Sequence, residues 1–208
     1  MIPQLSVQGL SLWRGGRCLC QKLDFTLQAG EVLQIRGPNG AGKTSLLRVL
    51  AGLGRVDEGD LRWRGAFLHA NLDYRAALLY LGHQNGLKYP LSPRENYVFY
   101  QSIATYSSQI TADEALTCVG LKEVMDRPCG QLSMGQKRRA GLARLLGVKA
   151  DLWLLDEPLS SLDVAGMDLV AVLLDRHIKG GGAVVLATHQ PLPGFGGALR
   201  TLELGVAA

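Results

Sequence analysis

The chain has 208 residues, 47% of them hydrophobic and 19% charged, which is enough apolar material for a core and too little charge for a disordered polymer. Lys and Arg number 22 against 18 Asp and Glu, a net charge of +4 that tolerates nucleic acid or an anionic membrane surface as partner without requiring either. No run of 18 apolar residues occurs, so no segment reads as a membrane-spanning helix, and the opening MIPQLSVQGLSLWRGG lacks the basic flank and apolar stretch of a signal peptide.

In chain order, QLSVQGLSLW and KLDFTLQAGEVLQIRG alternate apolar and polar residues, which predicts half-buried antiparallel strands. Cys18 and Cys20 share strand register between them and are expected side by side in the interior. With Cys118 and Cys129 they form no CxxC pair and have no metal-ligand histidine nearby, so all four read as reduced thiols of a cytoplasmic protein. A glycine-rich turn follows, then KTSLLRVLAGL, with Leu46, Leu47 and Leu50 on one helical face and Gly52 as a stop. RAALLYLGHQ reads as the next buried strand.

From residue 86 to 140 the texture turns helical. Ser92 to Glu95 (SPRE) is a capping box with Pro93 at the first helical position, Thr111 to Glu114 (TADE) is another, and Ser133 with Gln136 is a third. Beyond it, ADLWLLDEP and GGAVVLATHQ are apolar runs of strand length separated by the helical GMDLVAVLLDRHI. That order implies a parallel sheet.

The chemistry begins at GPNGAGKTS, which fits G-x-x-x-x-G-K-[ST] with Gly37, Gly42, Lys43 and Thr44. Glycines let backbone amides wrap a phosphate without Cβ clashes, and Pro38, Asn39, Gly40, Ala41 and Ser45 complete the cradle. Lys43 neutralises β- and γ-phosphate charge, and the Thr44 hydroxyl ligates Mg²⁺. ATP and Mg²⁺ are therefore the expected cofactors. The chain as a whole reads as one α/β domain, residues 1–208: a P-loop NTPase parallel-sheet core over 1–85 and 141–208, an N-terminal antiparallel β subdomain, and an inserted helical subdomain over 86–140.

LWLLDEP puts Asp156 and Glu157 at a strand end, where ligand crevices of open α/β sheets lie. Asp156 suits the Mg²⁺ shell, and Glu157 suits polarising the water that attacks the γ-phosphate. Gln84 in GHQNG and His189 in ATHQP also follow apolar strands, Gln84 placed to sense Mg²⁺ or the attacking water and His189 to contact the γ-phosphate. The helix start in GQLSMGQKRRAGLARLL, with Ser133, Gly135 and Gln136, is a second anion cradle.

The order Gly37 to Thr44, Gln84, Leu132 to Gln136, Asp156 to Glu157, Ser160 to Asp163, His189 resembles ABC-transporter ATP-binding subunits over nearly the whole chain. The resemblance implies that LSMGQ is the signature motif, SSLD the D-loop with Asp163 at the nucleotide, and His189 the switch histidine. It implies a head-to-tail dimer with a second copy, in which Ser133, Gly135 and Gln136 of one chain close over the γ-phosphate held by Lys43 of the other. ATP is then the glue, and hydrolysis dissolves the interface. The helical subdomain, linked to the nucleotide through Gln84, is the lever, with Asn85, Leu87, Tyr89 and Tyr97 placed to meet integral membrane subunits. Core packing is the commoner fate of such apolar side chains.

Within the family, the short chain, GHQNGLKYPLSPRENYVFY and THQPL are most similar to the ATP-binding subunits of haem exporters in cytochrome c biogenesis. That implies a peripheral position on the cytoplasmic face of a bacterial inner membrane, with ATP turnover coupled to haem export or to release of a haem chaperone. No residue looks like a haem ligand, so no direct haem contact is expected, and no nucleic acid. The alternatives are the ATPase of another ABC exporter, or a soluble ABC-type ATPase acting on nucleic acid, whose relatives usually carry tandem domains, coiled coils or zinc modules. A nucleotide-binding regulator without turnover is disfavoured, since Glu157 and His189 fill both hydrolytic positions. Three positions depart from the family pattern: Met134 in the middle of the signature, Ser161 where the D-loop usually has alanine, and Arg14 near the place of the adenine-stacking aromatic. Either Arg14 or its neighbour Trp13 covers the base, with Trp13 favoured.

Overall fold

The computed structural model describes residues 4–192 and 194–205. The chain opens with β1 (Leu5–Arg14) and β2 (Arg17–Leu27), a hairpin turned by Gly15 and Gly16, both at positive φ. Next come β3 (Val32–Arg36) and α1 (Lys43–Leu50), then β4 (Glu58–Trp63) and β5 (Ala66–Phe67). The remainder runs α2 (Leu72–Ala77), β6 (Leu78–Leu81), α3 (Pro93–Ile103), α4 (Ala112–Cys118), α5 (Met134–Gly147), β7 (Leu152–Asp156), α6 (Val164–Lys179), β8 (Ala183–Ala187) and β9 (Leu199–Glu203). One sheet is antiparallel in the order β2-β1-β4-β5. The other is parallel in the order β6-β7-β8-β3-β9.

The parallel sheet is covered on both faces, and its pleat divides two cores. Leu33, Ile35, Leu152, Leu154 and Val185 pack with Leu46, Leu47 and Leu50 of α1 and with the antiparallel sheet. Their strand neighbours Val32, Trp153, Leu155, Val184 and Leu186 pack with α6 and the helical region. Each such fully buried side chain contributes about 1.5–3 kcal/mol by leaving water. This clamps the strand ends in place, and all the loops that leave β3, β7 and β8 emerge on one edge.

The α/β architecture and the three capping boxes form as the sequence implies. Several local expectations do not hold. KLDFTLQAGEVLQIRG is two strands in different sheets: β2 ends at Leu27, Gly30 turns the chain at φ 79°, and β3 pairs parallel with β8 and β9. RAALLYLGHQ yields only four strand residues, because Asn71 Oδ1 accepts the Tyr74 amide at 3.0 Å and starts a helix that runs through Ala77. Cys18 is exposed and Cys20 half-buried, since the first half of the edge strand β2 projects beyond the core. Helix α5 runs on to Gly147, so residues 140 and 141 lie within one helix. Tyr97 is 2% exposed with its hydroxyl donating to the Ile110 carbonyl, which removes it from any surface, whereas Tyr89 remains 59% exposed. Among the described residues no helix is long and apolar enough to cross a membrane.

Candidate functional site

Between β3 and α1 the loop Gly37 to Gly42 curls back on itself. Gly37 and Gly42 have φ of 147° and 101°, and neither has room for a side chain: a Cβ would stand 2.4 Å from the Leu204 carbonyl oxygen at the first and 2.9 Å from Leu19 Cβ at the second. Gly42 is also the N-cap of α1, and no side chain caps that helix. The first amides of α1 are therefore left for an anion at the positive end of the dipole. Lys43, 8% exposed, folds its ammonium across the loop and donates to the Gly37 and Pro38 carbonyls at 2.7 and 3.1 Å.

Asp156 closes β7 at 1% exposure, and its Oδ2 is buried with no hydrogen-bond partner. Burial pushes its carboxyl above the usual carboxylate range, while the Thr44 hydroxyl and then His83 pull it back. A buried orphan carboxylate oxygen, a hydroxyl and an anion cradle together fit Mg²⁺, which takes one or two protein ligands and completes its shell with phosphate and water. Among the described residues no group of three His, Cys, Asp or Glu side chains forms a closed metal cage.

Glu157 follows at φ 48°, left-handed for a residue with a Cβ. A conformation of this kind costs on the order of 1–3 kcal/mol and persists only where its surroundings hold it. Its amide donates to the Ala187 carbonyl at 2.8 Å. Glu157 Oε1 meets His189 Nδ1 at 3.2 Å, and Oε2 is buried without a partner. The Glu157 side chain is 15% exposed and that of His189 64%, so the acid is sheltered and the imidazole faces water.

These groups share a groove of about 420 Å³ lined by Arg14, Leu19, Asn39, Gly40, Gly42, Lys43, Thr44, Ser45, His83, Asp156 and Glu157. Gly37, Pro38 and Ala41 belong to its loop, and His189 reaches it through Glu157. Trp13 and Gln84 do not line it; their neighbours Arg14 and His83 do. Successive residues of a strand point to opposite faces, so exchanging Trp13 for Arg14 changes the side. Arg14 is held by Nη1 on the Trp13 carbonyl at 2.6 Å and Asp57 Oδ2 at 3.0 Å, and by Nη2 on the Arg55 carbonyl at 2.8 Å. Gln84 is exposed.

The residues of the second cradle lie elsewhere. Ser133 Oγ accepts the Gln136 amide at 3.2 Å, and Gln136 Oε1 accepts the Ser133 amide at 2.9 Å. At Gly135 a Cβ would stand 2.9 Å from the Ser161 carbonyl oxygen, which sets this turn against the D-loop. Asp163 caps α6 by accepting the Gly166 amide at 2.9 Å, and its Oδ1 accepts Arg139 Nη2 at 2.5 Å. None of Ser133, Gly135, Gln136 and Asp163 lines the groove of its own chain. A second groove, about 1000 Å³, lies apart from the phosphate loop, among Leu53, Arg55, Phe67, Tyr74 and Arg144.

The model of the ABC transporter family matches residues 20–160. The chain belongs to the ABC transporter family. It is similar, at 47% identity over 90% of its length and 87% of theirs, to the cytochrome c biogenesis ATP-binding export protein CcmA of Yersinia pestis. The proteins of that name from Aliivibrio fischeri and Dechloromonas aromatica are 43% and 45% identical over 97% of this chain and 99% and 100% of theirs. Among solved structures, an ABC transporter ATP-binding protein from Pyrococcus furiosus superposes with a TM-score of 0.79 at 22% identity, covering 96% of each chain. An ATP-binding subunit of an ABC transporter gives 0.78 at 21% identity, over 89% of this chain and 79% of that one. The protein is thus a nucleotide-binding ABC-type ATPase with the fold of that family.

Among groove residues, sequence reasoning passed over Leu19 and His83, whose neighbourhood is set by tertiary approach. It also passed over Arg138, buried beneath the Asp156–Glu157 turn. A signal for Arg138 existed: it is spaced i, i+4, i+8 with Leu142 and Leu146, a charge on the apolar face of its helix.

Proposed function

We propose that the chain is the ATP-hydrolysing subunit of a bacterial inner-membrane ABC complex, in which ATP-driven dimer closure supports haem export or haem-chaperone release in c-type cytochrome biogenesis. The observation that carries this reading is the 43–47% identity, over nine-tenths or more of the chain, to proteins named cytochrome c biogenesis ATP-binding export proteins. Lys43 and the amides from Gly37 to Ser45 hold the triphosphate. Thr44 and Asp156 would hold Mg²⁺, which supplies charge neutralisation at the phosphates when bound, and Gln84, outside the groove in the single chain, would join them only on a movement of the loop after β6. Glu157 Oε2, sheltered and unpartnered, accepts the proton of the attacking water, and His189 contacts the γ-phosphate. The base lies along the side of the groove where Arg14 and Leu19 stand, with Trp13 outside.

Ser133, Gly135, Gln136 and Asp163 act in trans, on nucleotide held by a second copy bound head to tail. Triphosphate carries more charge than one cradle encloses, so it binds the closed dimer better than the open one. That differential affinity sets how far the equilibrium moves. Integral membrane subunits meet the helical region of residues 86–140, where Tyr89 is 59% exposed, together with the larger groove, where Leu53 and Phe67 are 60% and 54% exposed, and the helical region transmits the movement. The chain itself stays peripheral, on the cytoplasmic face, and contacts neither haem nor nucleic acid.

The test is to tag Glu157→Gln, add ATP, purify from detergent-solubilised membranes, and identify the companions while recording a haem absorbance spectrum. Polytopic partners carrying haem or a haem chaperone are expected. Polytopic partners without either keep the transporter ATPase and discard the haem reading; ribosomal or DNA-bound companions discard both.

A further inference from the structure

Helix α5 turns a guanidinium inward. Arg138 is 2% exposed, and all five of its described hydrogen bonds go to uncharged oxygens. Nη2 donates to the Asp156 and Glu157 carbonyls at 2.9 and 2.6 Å, and Nε donates to the Pro158 carbonyl at 3.2 Å. Nη1 donates to Asn85 Oδ1 at 2.8 Å and more weakly to the Gly82 carbonyl at 3.4 Å. Burial depresses the guanidinium to about 10, with the Asp156 and Glu157 carboxylates pulling it back. Packing does not account for such a residue, because apolar side chains of similar volume commonly do as well or better in a core.

Its acceptors account for it. Three are consecutive carbonyls that bracket the left-handed turn at Glu157, and a planar fork with five donors is suited to gripping several fixed oxygens at once. The other arm grips the loop that leaves β6. That loop also lies against α5 directly, since a Cβ on Gly141 would come within 3.2 Å of Asn85 Cβ. Arg138 does not line the nucleotide groove, so it reaches the chemistry only through what it holds.

We infer that Arg138 is a positioning residue: it fixes Glu157 in its left-handed turn and ties that turn, through Asn85, to the loop after β6, so that the start of α5, the hydrolytic acid and that loop move as one piece. The inference rests on the reading of Glu157 as the proton acceptor and adds the residue that aims it. The signature turn sits one helical turn before Arg138 on the same helix. A force on that turn from a partner chain therefore has a direct route to the carbonyls around Glu157 through Arg138, beside the contacts of Gly135 with Ser161 and of Arg139 with Asp163.

The test uses the membrane complex purified through this chain. kcat and KM for ATP are measured for the wild type, Glu157→Gln, Arg138→Met, Arg138→Lys and the Arg138→Met, Glu157→Gln pair, with nucleotide affinity from a fluorescent ATP analogue. Arg138→Met is expected to lower kcat about 100-fold, the scale set by a misplacement of about 1 Å, with KM and affinity changed less than about twofold. Arg138→Lys, which restores charge and fewer donors, recovers part of the loss. In the Glu157→Gln background Arg138→Met changes the residual turnover less than about twofold, because the group it aimed is gone. The inference is overturned if the two losses multiply, if Arg138→Met keeps kcat within about twofold of wild type, or if affinity falls as far as kcat. Glu157→Gln turning over at the wild-type rate overturns instead the reading of Glu157, and is seen independently of Arg138. Should Arg138→Met not fold, Asn85→Ala leaves the buried charge its four carbonyls and is expected to lower kcat at unchanged KM; an unchanged kcat there removes the link to the loop.

Discussion

Two helices, α1 and α5, begin at places proposed to meet the same triphosphate, and they begin in opposite ways. Helix α1 has a left-handed glycine as N-cap and no side-chain cap, so its first amides wait for an anion. Helix α5 satisfies two amides itself, through Ser133 and Gln136, which leaves those of Met134 and Gly135. Lys43 at the first is 8% exposed and Met134 at the second 65%. The first is a preformed pocket with its own cation, able to bind nucleotide in a single chain. The second is a partly self-capped surface turn, whose two remaining amides would receive an anion only from another molecule. In the proposed head-to-tail arrangement, binding would fall to the uncapped helix end and sensing to the one that is partly capped by its own side chains.

The sharpest break of this comparison is at Glu157, the proposed hydrolytic acid. Glu157→Gln keeps the size of the side chain and loses the base, so turnover is expected to fall about 10²–10⁴-fold while ATP stays bound. With ATP and Mg²⁺ the variant is expected to accumulate as a dimer by light scattering; a mass that stays monomeric counts against nucleotide held between two chains. Lys43→Ala removes the cation of the first cradle. ATP affinity is expected to fall by about 100-fold, the worth of one or two charge-assisted contacts, as read by a fluorescent analogue. Binding within a few-fold of wild type would mean that the loop amides suffice.

The contrast between the two helix ends also marks what was legible in the sequence. Capping boxes, the glycines of the phosphate loop and the apolar strands before Asp156 and His189 are local signals, each set by chain geometry within a few residues, and the α/β fold follows from their order. Positions fixed by tertiary approach are not written locally. Arg14 rather than Trp13 lines the groove because the end of β1 meets Asp57, forty-odd residues on. His83 rather than Gln84 does so because of how the chain turns after Leu81. Leu19 lies against Gly42 because a hairpin folds over the loop. The strand read into RAALLYLGHQ was shortened by Asn71, a cap lying outside the apolar run.

A control on both cradles lies among the helix C-terminal residues of α6, behind the parallel sheet. His177 stacks on Trp153 at 3.8 Å between centroids and 8° between planes, with Nε2 buried and unpartnered. Burial lowers it from 6.5 to about 4, against the weaker pull of nearby Ala183 and Asp151. The shift fixes the sign. Above about 6.5 the ring is neutral in both states; as pH falls toward 4 the unfolded chain takes up a proton that the folded one refuses, and stability declines across that window. The loss is on the order of 1–2 kcal/mol at pH 5, a Tm lower by roughly 3–6 °C. His177→Phe is expected to remove most of this dependence while leaving ATP affinity alone. An undiminished acid loss in that variant assigns it to the carboxylates.

The smallest expected effect separates the two helix ends most directly. Ser133→Ala removes the hydroxyl that caps the Gln136 amide, at about 1 kcal/mol of stability and roughly 2–4 °C in Tm for a chain of this size. A helix cap with no further duty predicts that cost and nothing else. A turn that also receives a phosphate from a second copy predicts a second loss: ATP affinity of the single chain unchanged, but more protein or nucleotide required to assemble the Glu157→Gln dimer. Glycine in place of Ser133 sharpens the distinction, since it caps nearly as well without a hydroxyl. If Ser133→Gly keeps the Tm and still weakens the dimer, the hydroxyl faces a ligand. If it keeps both, the capping box is a folding device, and α1 alone holds the nucleotide.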